Sequence, residues 1–483
     1  MIAKGWQKHH TVWLMLFLGW TVSYLDRALT GPVVTWMIAN KIGFLQAAAK
    51  PYALGGLLGS LFFAGYMLTQ FPGGYFGDKF GHRTIIVISI FWAGVATLLT
   101  GLTGGLVAFV AFRVLTGLGE GVLYSNDRTL VSQVTPPKQL GLGMGVVMGG
   151  LTLGLTVAIL GTIRVIGLAT PALGASAWKA PFVLLGALTI GVAFLIKRYI
   201  APATPAVSYP YGRALASLLK YSAIFFFAIM GVYFVTERMG LSDVAIAVIL
   251  TVLALLLIVF IYSQKAKEVR PILRDRNLML IYLSAIAVLW HLWFYGYWSI
   301  AIVKDFGGGA FATAALVASF NGVAGLIGFP LGGKLSDLVA HRPNGRRNVL
   351  ALLTAGLTVL IFVFGAYLTT GRKNPITLSA ILFASGLLFF ALQAVSHALT
   401  AESAPDTMRG SAFGMWNLIA EIGAVLSPVV SGALRDATGS WGAPIFLDGA
   451  LMGVSCGLVL LVTSAVHISA PAMMTAVTPG NVR

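Results

Sequence analysis

Apolar runs of membrane-crossing length follow one another from near residue 12 to near residue 467, and they limit what this chain can fold into. A helix crossing the hydrocarbon core takes roughly 20 predominantly apolar residues. Backbone groups inside lipid must also be satisfied within the segment, so each run reads as a helix. Six spans are predicted near 12–38, 52–76, 84–104, 106–134, 140–165 and 180–199. A pair follows near 221–236 and 244–263. Six more fall near 278–303, 311–333, 348–370, 376–400, 410–434 and 444–467. The expectation is an all-α membrane protein with fourteen transmembrane helices and both termini on one side.

Composition excludes the other classes. Only 10% of the residues are charged and 58% are hydrophobic, whereas a soluble domain carries about 25% charged residues. Disorder is excluded by the same apolar content. A single cysteine, Cys456, allows neither an intrachain disulfide nor a cysteine metal cage. The seven histidines are scattered except for His9 and His10, so neither a metal nor a cofactor is expected. The run from Thr11 to Ile38 is too long for a signal-peptide core, so no cleavable signal is expected.

The net charge of +17 would suggest nucleic acid in a soluble protein. Here, with the N-terminus inside, about 21 Lys and Arg fall in inner loops and tails and about 9 in outer ones, as the positive-inside rule requires. The inner set includes Lys79, Arg83, Lys197, Arg198, Arg342, Arg346 and Arg347. No nucleic-acid partner is expected. The predicted setting is the cell inner membrane, with both termini cytoplasmic.

A repeat divides the chain. Phe71–Arg83 reads FPGGYFGDKFGHR and Phe329–Arg342 reads FPLGGKLSDLVAHR. Each follows the second span of its half, and each holds Gly-x-x-x-Asp, at Gly74/Asp78 and Gly333/Asp337. The offset of 259 residues exceeds what six helices need, and the surplus matches the extra pair of spans. The predicted organisation is a six-helix bundle over 1–200, a linker with an inserted two-helix hairpin over 201–270, a second six-helix bundle over 271–470, and a cytoplasmic tail over 471–483. Two parallel halves around a central pathway are a transporter architecture.

Charges inside spans mark candidate sites, because an ionisable group at bilayer depth is costly. Of the cations, only Arg27 and Arg113 lie well within spans. Adjacent helical residues point about 100° apart, so Asp26 and Arg27 cannot face one partner. One arrangement turns Arg27 to the pathway and Asp26 to the fourth helix. Arg113 and Glu120 share a face, about 10 Å apart by helical rise. Gly117, Gly119 and Gly121 let a neighbouring helix approach Glu120. Asp26, Arg113 and Glu120 then form a buried network, which either couples protons or merely locks the first helix to the fourth. Burial favours a neutral carboxyl group and a nearby arginine favours the charged one, so such a site can respond to an arriving anion. Glu421 is a further candidate, with packing or gating as its other reading.

Neutral polar groups at the same depth are Tyr24, Tyr66, Gln393, Ser396 and Asn417, able to bind hydroxyls. The segment Trp290–Trp298 reads in two ways. It is an interfacial aromatic belt, or Gly296 breaks the helix so that Tyr295 or Tyr297 closes over a substrate.

Gly74 to Arg83 matches every fixed position of G-x-x-x-D-[RK]-x-G-x-[RK]. It thereby resembles the loop motif between helices 2 and 3 of the major facilitator superfamily. The second copy is degenerate, with Leu338 and Ala340 in place of the basic residue and the glycine. Arg113-x-x-x-Gly117 resembles that superfamily's second motif. A narrower set is Tyr24-Leu25-Asp26-Arg27, Arg113 through Gly117 and Gly119 to Glu120, Asn126, Arg128, Gly410, Gly414, Trp416-Asn417, Ser427-Pro428 and Gly432. It resembles the anion:cation symporter family. The resemblance implies the major facilitator fold and proton-coupled symport of a sugar acid or other small carboxylate. It implies that Arg27 faces the substrate anion, that Asp26 and Glu120 carry protons, and that Tyr24, Tyr66 and Asn417 line the site. Gln393 and Tyr295 complete the substrate-binding candidates, and Arg113 joins the coupling set. Gly74, Asp78, Gly81, Arg83 and Asp337 are read as conformational latches. The chain departs from the family at Gln139-Leu140-Gly141, at Glu421 and in the inserted hairpin.

The expected partners are a small organic anion, protons and the bilayer, acting on a monomer. A proton-driven drug exporter of the fourteen-helix type is the alternative, supported by the insert. The Gly-Pro motif of such exporters is missing from Gly149–Leu155. No nucleophile–base pair or metal cluster suggests an enzyme.

Overall fold

The computed structural model describes residues 5–136, 139–201, 211–263, 266–307, 309–371, 374–405 and 408–463. The expected tail at 471–483 lies outside them. All regular structure among the described residues is helical. The first half holds α1 (Lys8–Asn40), α2 (Pro51–Phe80), α3 (His82–Leu102), α4 (Leu106–Glu120), α5 (Leu123–Val134), α6 (Leu140–Leu173) and α7 (Ala180–Tyr199). The insert is α8 (Tyr211–Arg238) and α9 (Asp243–Ser263), followed by the short α10 (Ala266–Arg274). The second half holds α11 (Arg276–Gly307), α12 (Phe311–Val323), α13 (Gly325–Val339), α14 (Gly345–Thr369), α15 (Pro375–Ser403), α16 (Arg409–Thr438) and α17 (Gly442–Leu460).

Local chemistry sets several helix ends. Asn374 caps α15 by accepting from the amides of Ile376 and Thr377, and Pro375 takes the first turn, where no amide donor is needed. Gly81 separates α2 from α3 at φ 85°, a conformation open to glycine.

Eleven described segments are helical, long and apolar enough to cross a bilayer. The predicted fourteen is not reached by that measure, for identifiable reasons. Leu142–Tyr199 runs through α6 and α7 as one apolar stretch. Asp26 and Arg27 reduce the apolarity of α1, which is absent from the eleven, and α9 contributes only a shorter apolar helix, Asp243–Leu256.

The two halves repeat one packing scheme. In the first, α1 lies along α6, α3 along α7 and α2 along α4. In the second, α11 lies along α16, α14 along α17 and α13 along α15. The halves meet where α2 packs on α16, α6 on α12 and α1 on α11. The contact at the C-terminal end of α1 is close. A side chain at Gly31 or Gly56 would collide with the backbone of Tyr297 or of Pro428 and Val429, so small residues let the helices touch. Side chains then reach across to backbone. Tyr297 Oη donates to the Gly55 carbonyl at 2.6 Å and the Ala53 amide donates to Asp436 Oδ2 at 2.7 Å. Beside them, Trp298 Nε1 ties α11 to the Pro428 carbonyl of α16 at 2.9 Å. This end of the pathway is sealed.

The aromatic run on α11 follows neither sequence reading. The helix is continuous through Gly296. Trp290, Trp293, Tyr295, Tyr297 and Trp298 are all buried inside the protein. The insert lies on the outside of the bundle. α8 packs on α2, α3 and α4, and α9 packs on α2 and α16, so α9 spans the boundary between the halves. Ile224, Phe227 and Val235 on α8 point outward, as lipid-facing residues do.

Candidate functional site

Between the halves lies a cavity of about 30 Å³, room for about one water molecule. It is walled by α1, α2, α5 and α6 on one side and by α11, α15 and α16 on the other. Arg27, Tyr24 and Tyr66 line it from the first half, and Gln393, Asn417 and Glu421 from the second.

The two acid–arginine pairs are distinct. Arg113 is 0% exposed and bonds through Nη1 to Asp26 Oδ1 at 2.7 Å. Its Nη2 donates to the hydroxyls of Thr97, Thr100 and Thr116, each at 3.0 Å. Thr97 in turn donates to the other oxygen of Asp26. This cluster ties α1 to α3 and α4 away from the cavity. Arg27 Nε donates to Glu120 Oε2 at 2.8 Å, and Ser23 Oγ donates to the same oxygen at 2.6 Å. The Arg27 guanidinium stands 4.2 Å from the Tyr66 ring centroid, 4.8 Å from Tyr24 and 5.5 Å from Trp20. Glu120 Oε1 has no hydrogen-bond partner. The expected single network of Asp26, Arg113 and Glu120 is thus two pairs. Two helical turns separate Arg113 from Glu120, so each takes its own partner on α1.

On the facing wall, Asn417 Nδ2 donates to Gln70 Oε1 across the halves at 2.9 Å, and more weakly to Glu421 Oε1 at 3.5 Å. Glu421 Oε2 and Gln393 Oε1 have no partner. Tyr24 stacks on Trp293 of the other half at 5.8 Å.

Tyr295 does not line the cavity. Its ring packs on His291 at 4.7 Å and on Phe364 at 6.2 Å, inside the second half. Trp293 holds the cavity position instead, because two residues on a helix turn the side chain by about 200°. Ser396 sits behind Trp416, accepting from its indole at 3.3 Å. Sequence reasoning did not place Trp20, Tyr124, Met148, Trp293 or His397 at the site, yet all line the cavity. Arg128, which the sequence marks only as part of a motif, lines it too.

The loop motif is built around the α2–α3 junction. A side chain at Gly77 would collide with Asn126, whereas one at Gly74 would make ordinary contact with Ser125. Asp78 is 78% exposed and 3.5 Å from His82 Nε2. Arg83 donates to Tyr211 Oη at 3.1 Å and to the Lys197 carbonyl. Asp337 is 84% exposed, 3.9 Å from Arg346, which also bonds Glu402 at 2.8 Å. Among the described residues no three His, Cys, Asp or Glu side chains are grouped to hold a metal.

Known proteins share this architecture. A solved peptide transporter in complex with sulfate superposes with a TM-score of 0.67 at 17% identity, covering 96% of this chain and 97% of that one. In sequence, the "Probable sulfoacetate transporter SauU" of Cupriavidus necator is 27% identical over 96% of this chain and 95% of its own length. The "Probable galactarate/D-glucarate transporter GudP" of Escherichia coli is 23% identical over 95% of each. The model of the Major Facilitator Superfamily matches residues 16–337 and again 278–477. A charged central cavity between two similarly packed helical halves accords with that match, and the chain belongs to the Major Facilitator Superfamily.

Proposed function

We propose that the protein is a secondary transporter that carries a small organic anion across the membrane in symport with protons, by alternating access. The observation that carries this reading is the Arg27–Glu120 pair at the cavity wall. Arginine's planar fork suits a carboxylate, and here an internal carboxylate already holds it. An arriving anion takes the place of Glu120 on Arg27. Glu120 then remains buried without its partner, and a proton makes that burial cheaper. Anion and proton therefore enter together. Glu421 faces the same cavity and is the second candidate for a proton. Asp26 stays bound to Arg113 and supports the geometry of α1. Tyr24, Tyr66, Gln393 and Asn417 serve the cargo's hydroxyl groups. The seal between α2 and α16 opens as the opposite end closes, with Asp78, Arg83 and Asp337 latching the loops.

In this reading the chain crosses the membrane fourteen times, with both termini in the cytoplasm, and works as a monomer. α1, the division of one apolar stretch into α6 and α7, and α9 supply the three crossings beyond the eleven of simple apolarity. Relatives named for organic anions support the cargo class. The test is reconstitution in liposomes with an imposed pH gradient. Wild type is expected to concentrate an organic acid such as galactarate or sulfoacetate. Failure across a broad panel of organic acids would remove the reading.

A further inference from the structure

A second arginine, Arg128, lines the cavity and has no part in the exchange at Arg27. Arg128 on α5 has its guanidinium 5.5 Å from the Trp20 ring centroid and 5.4 Å from that of Tyr124. Arg27 lies 5.5 Å from the same Trp20 ring. The two cations are therefore no farther apart than twice that distance. The indole they share is fixed, because Trp20 Nε1 donates to Asp127 Oδ2 at 2.6 Å.

The partners of Arg128 are poor ones. Its terminal nitrogens face the sulfurs of Met144 and Met148, and a thioether is a weak acceptor. Its Nε is buried without a hydrogen bond. The nearest carboxylate oxygen, on Asp127, is 3.8 Å away and already accepts from Trp20. Arg113 shows the alternative, with its donors shared among a carboxylate and three hydroxyls. Arg128 is 21% exposed. It has donors to spare and flexible methionines that can move aside.

We propose that Arg128 is a second anion subsite, so that the cargo is a short molecule bearing two acidic groups, one held by Arg27 and the other by Arg128. This rests on the reading of Arg27 as the first subsite. Charged hydrogen bonds span about 2.7–2.9 Å, so two guanidiniums this close to one ring can share a short chain of carbons once the methionines move aside and the small cavity widens around it. Carboxylate and sulfonate groups both fit, since each offers several acceptor oxygens to the fork. Of the nearby carboxylates, Glu421 lines this space, while Glu120 pairs with Arg27 and Asp127 stands beside Arg128. His397 faces it from α15.

The test measures binding to the purified full-length protein by calorimetry, using matched pairs that differ in one acidic group. The pairs are galactarate with galactonate, sulfoacetate with acetate, and succinate with butyrate. For at least one pair, wild type should prefer the diacid by about tenfold or more, the worth of one charged hydrogen-bonded contact. Arg128→Gln should reduce that preference to about threefold or less, because the diacid loses far more than the monoacid. Arg128→Lys keeps the charge without the fork and should retain an intermediate preference. If Arg128→Gln does not fold, the wild-type ratios and the lysine variant decide the matter. Monoacid binding without a diacid preference overturns the second subsite and leaves the transport reading standing. So does a preference that survives in folded Arg128→Gln, or one that Arg128→Lys leaves at the wild-type value. Binding of neither member of any pair overturns both.

Discussion

Arg27 and Arg113 sit in the same half of the molecule, each against one carboxylate, and they differ in what is left over. Around Arg113, both Asp26 oxygens and three threonine hydroxyls are engaged, and water has no access. Around Arg27, one oxygen of Glu120 accepts two bonds while the other accepts none, and three aromatic faces cover the cation. A saturated pair has nothing to gain from a ligand. An unsaturated pair on a cavity wall can exchange its internal anion for an external one. Saturation, more than burial or charge, distinguishes the pair we read as a lock from the pair we propose as the working site.

The largest effect should come from breaking the lock. Arg113→Leu strands Asp26 in the bundle, and loss of one partner of a buried pair costs about 3–5 kcal/mol. Thermal unfolding in detergent should show a large fall, and an unchanged midpoint would refute the assignment. Arg27→Lys should instead leave the unfolding midpoint near that of wild type while weakening anion binding on the order of a hundredfold. If Arg27→Lys unfolds the protein and Arg113→Leu only weakens binding, the comparison is inverted.

Glu120→Gln sharpens the distinction further. Glutamine imitates the protonated acid, so binding and counterflow should persist while a pH gradient no longer drives accumulation. Each pH unit offers about 1.4 kcal/mol per transported proton, and the variant should lose that drive. Accumulation equal to wild type would transfer the role to Glu421. The smallest effect belongs to the seal. Tyr297→Phe removes one hydrogen bond to the Gly55 carbonyl, worth about 0.5–1.5 kcal/mol. Alkylation of a cysteine placed at Ala53 should then quicken several-fold, and an unchanged rate would show that this bond does not hold the halves together.

The divergence of Asp26 and Arg27 was legible in the sequence because helical geometry forces neighbours apart. The repeat at Gly74 and Gly333 likewise marks two related stretches of the sequence. Other features depend on tertiary contact. Which residue of Trp290–Trp298 faces the cavity is set by the rotation of α11, and Gly31 against Tyr297 together with Trp298 on Pro428 fixes that rotation. The apolar run 106–134 conceals the interruption between α4 and α5, and only the structure turns Arg128 toward Trp20. A signal was present in Gly119-Glu120-Gly121, where two glycines flank the acid.

The position of α9 bears on how the two halves can move. It lies against both α2 and α16, so that boundary is strapped from the lipid side. The matching boundary between α6 and α12 carries no such strap among the described residues. Two rigid bodies joined on one side behave like a book with a spine. Parting the sealed ends of α2 and α16 would then have to carry α9 along, while the α6–α12 edge widens against lipid alone, and the turnover rate would follow how readily lipid yields along that edge.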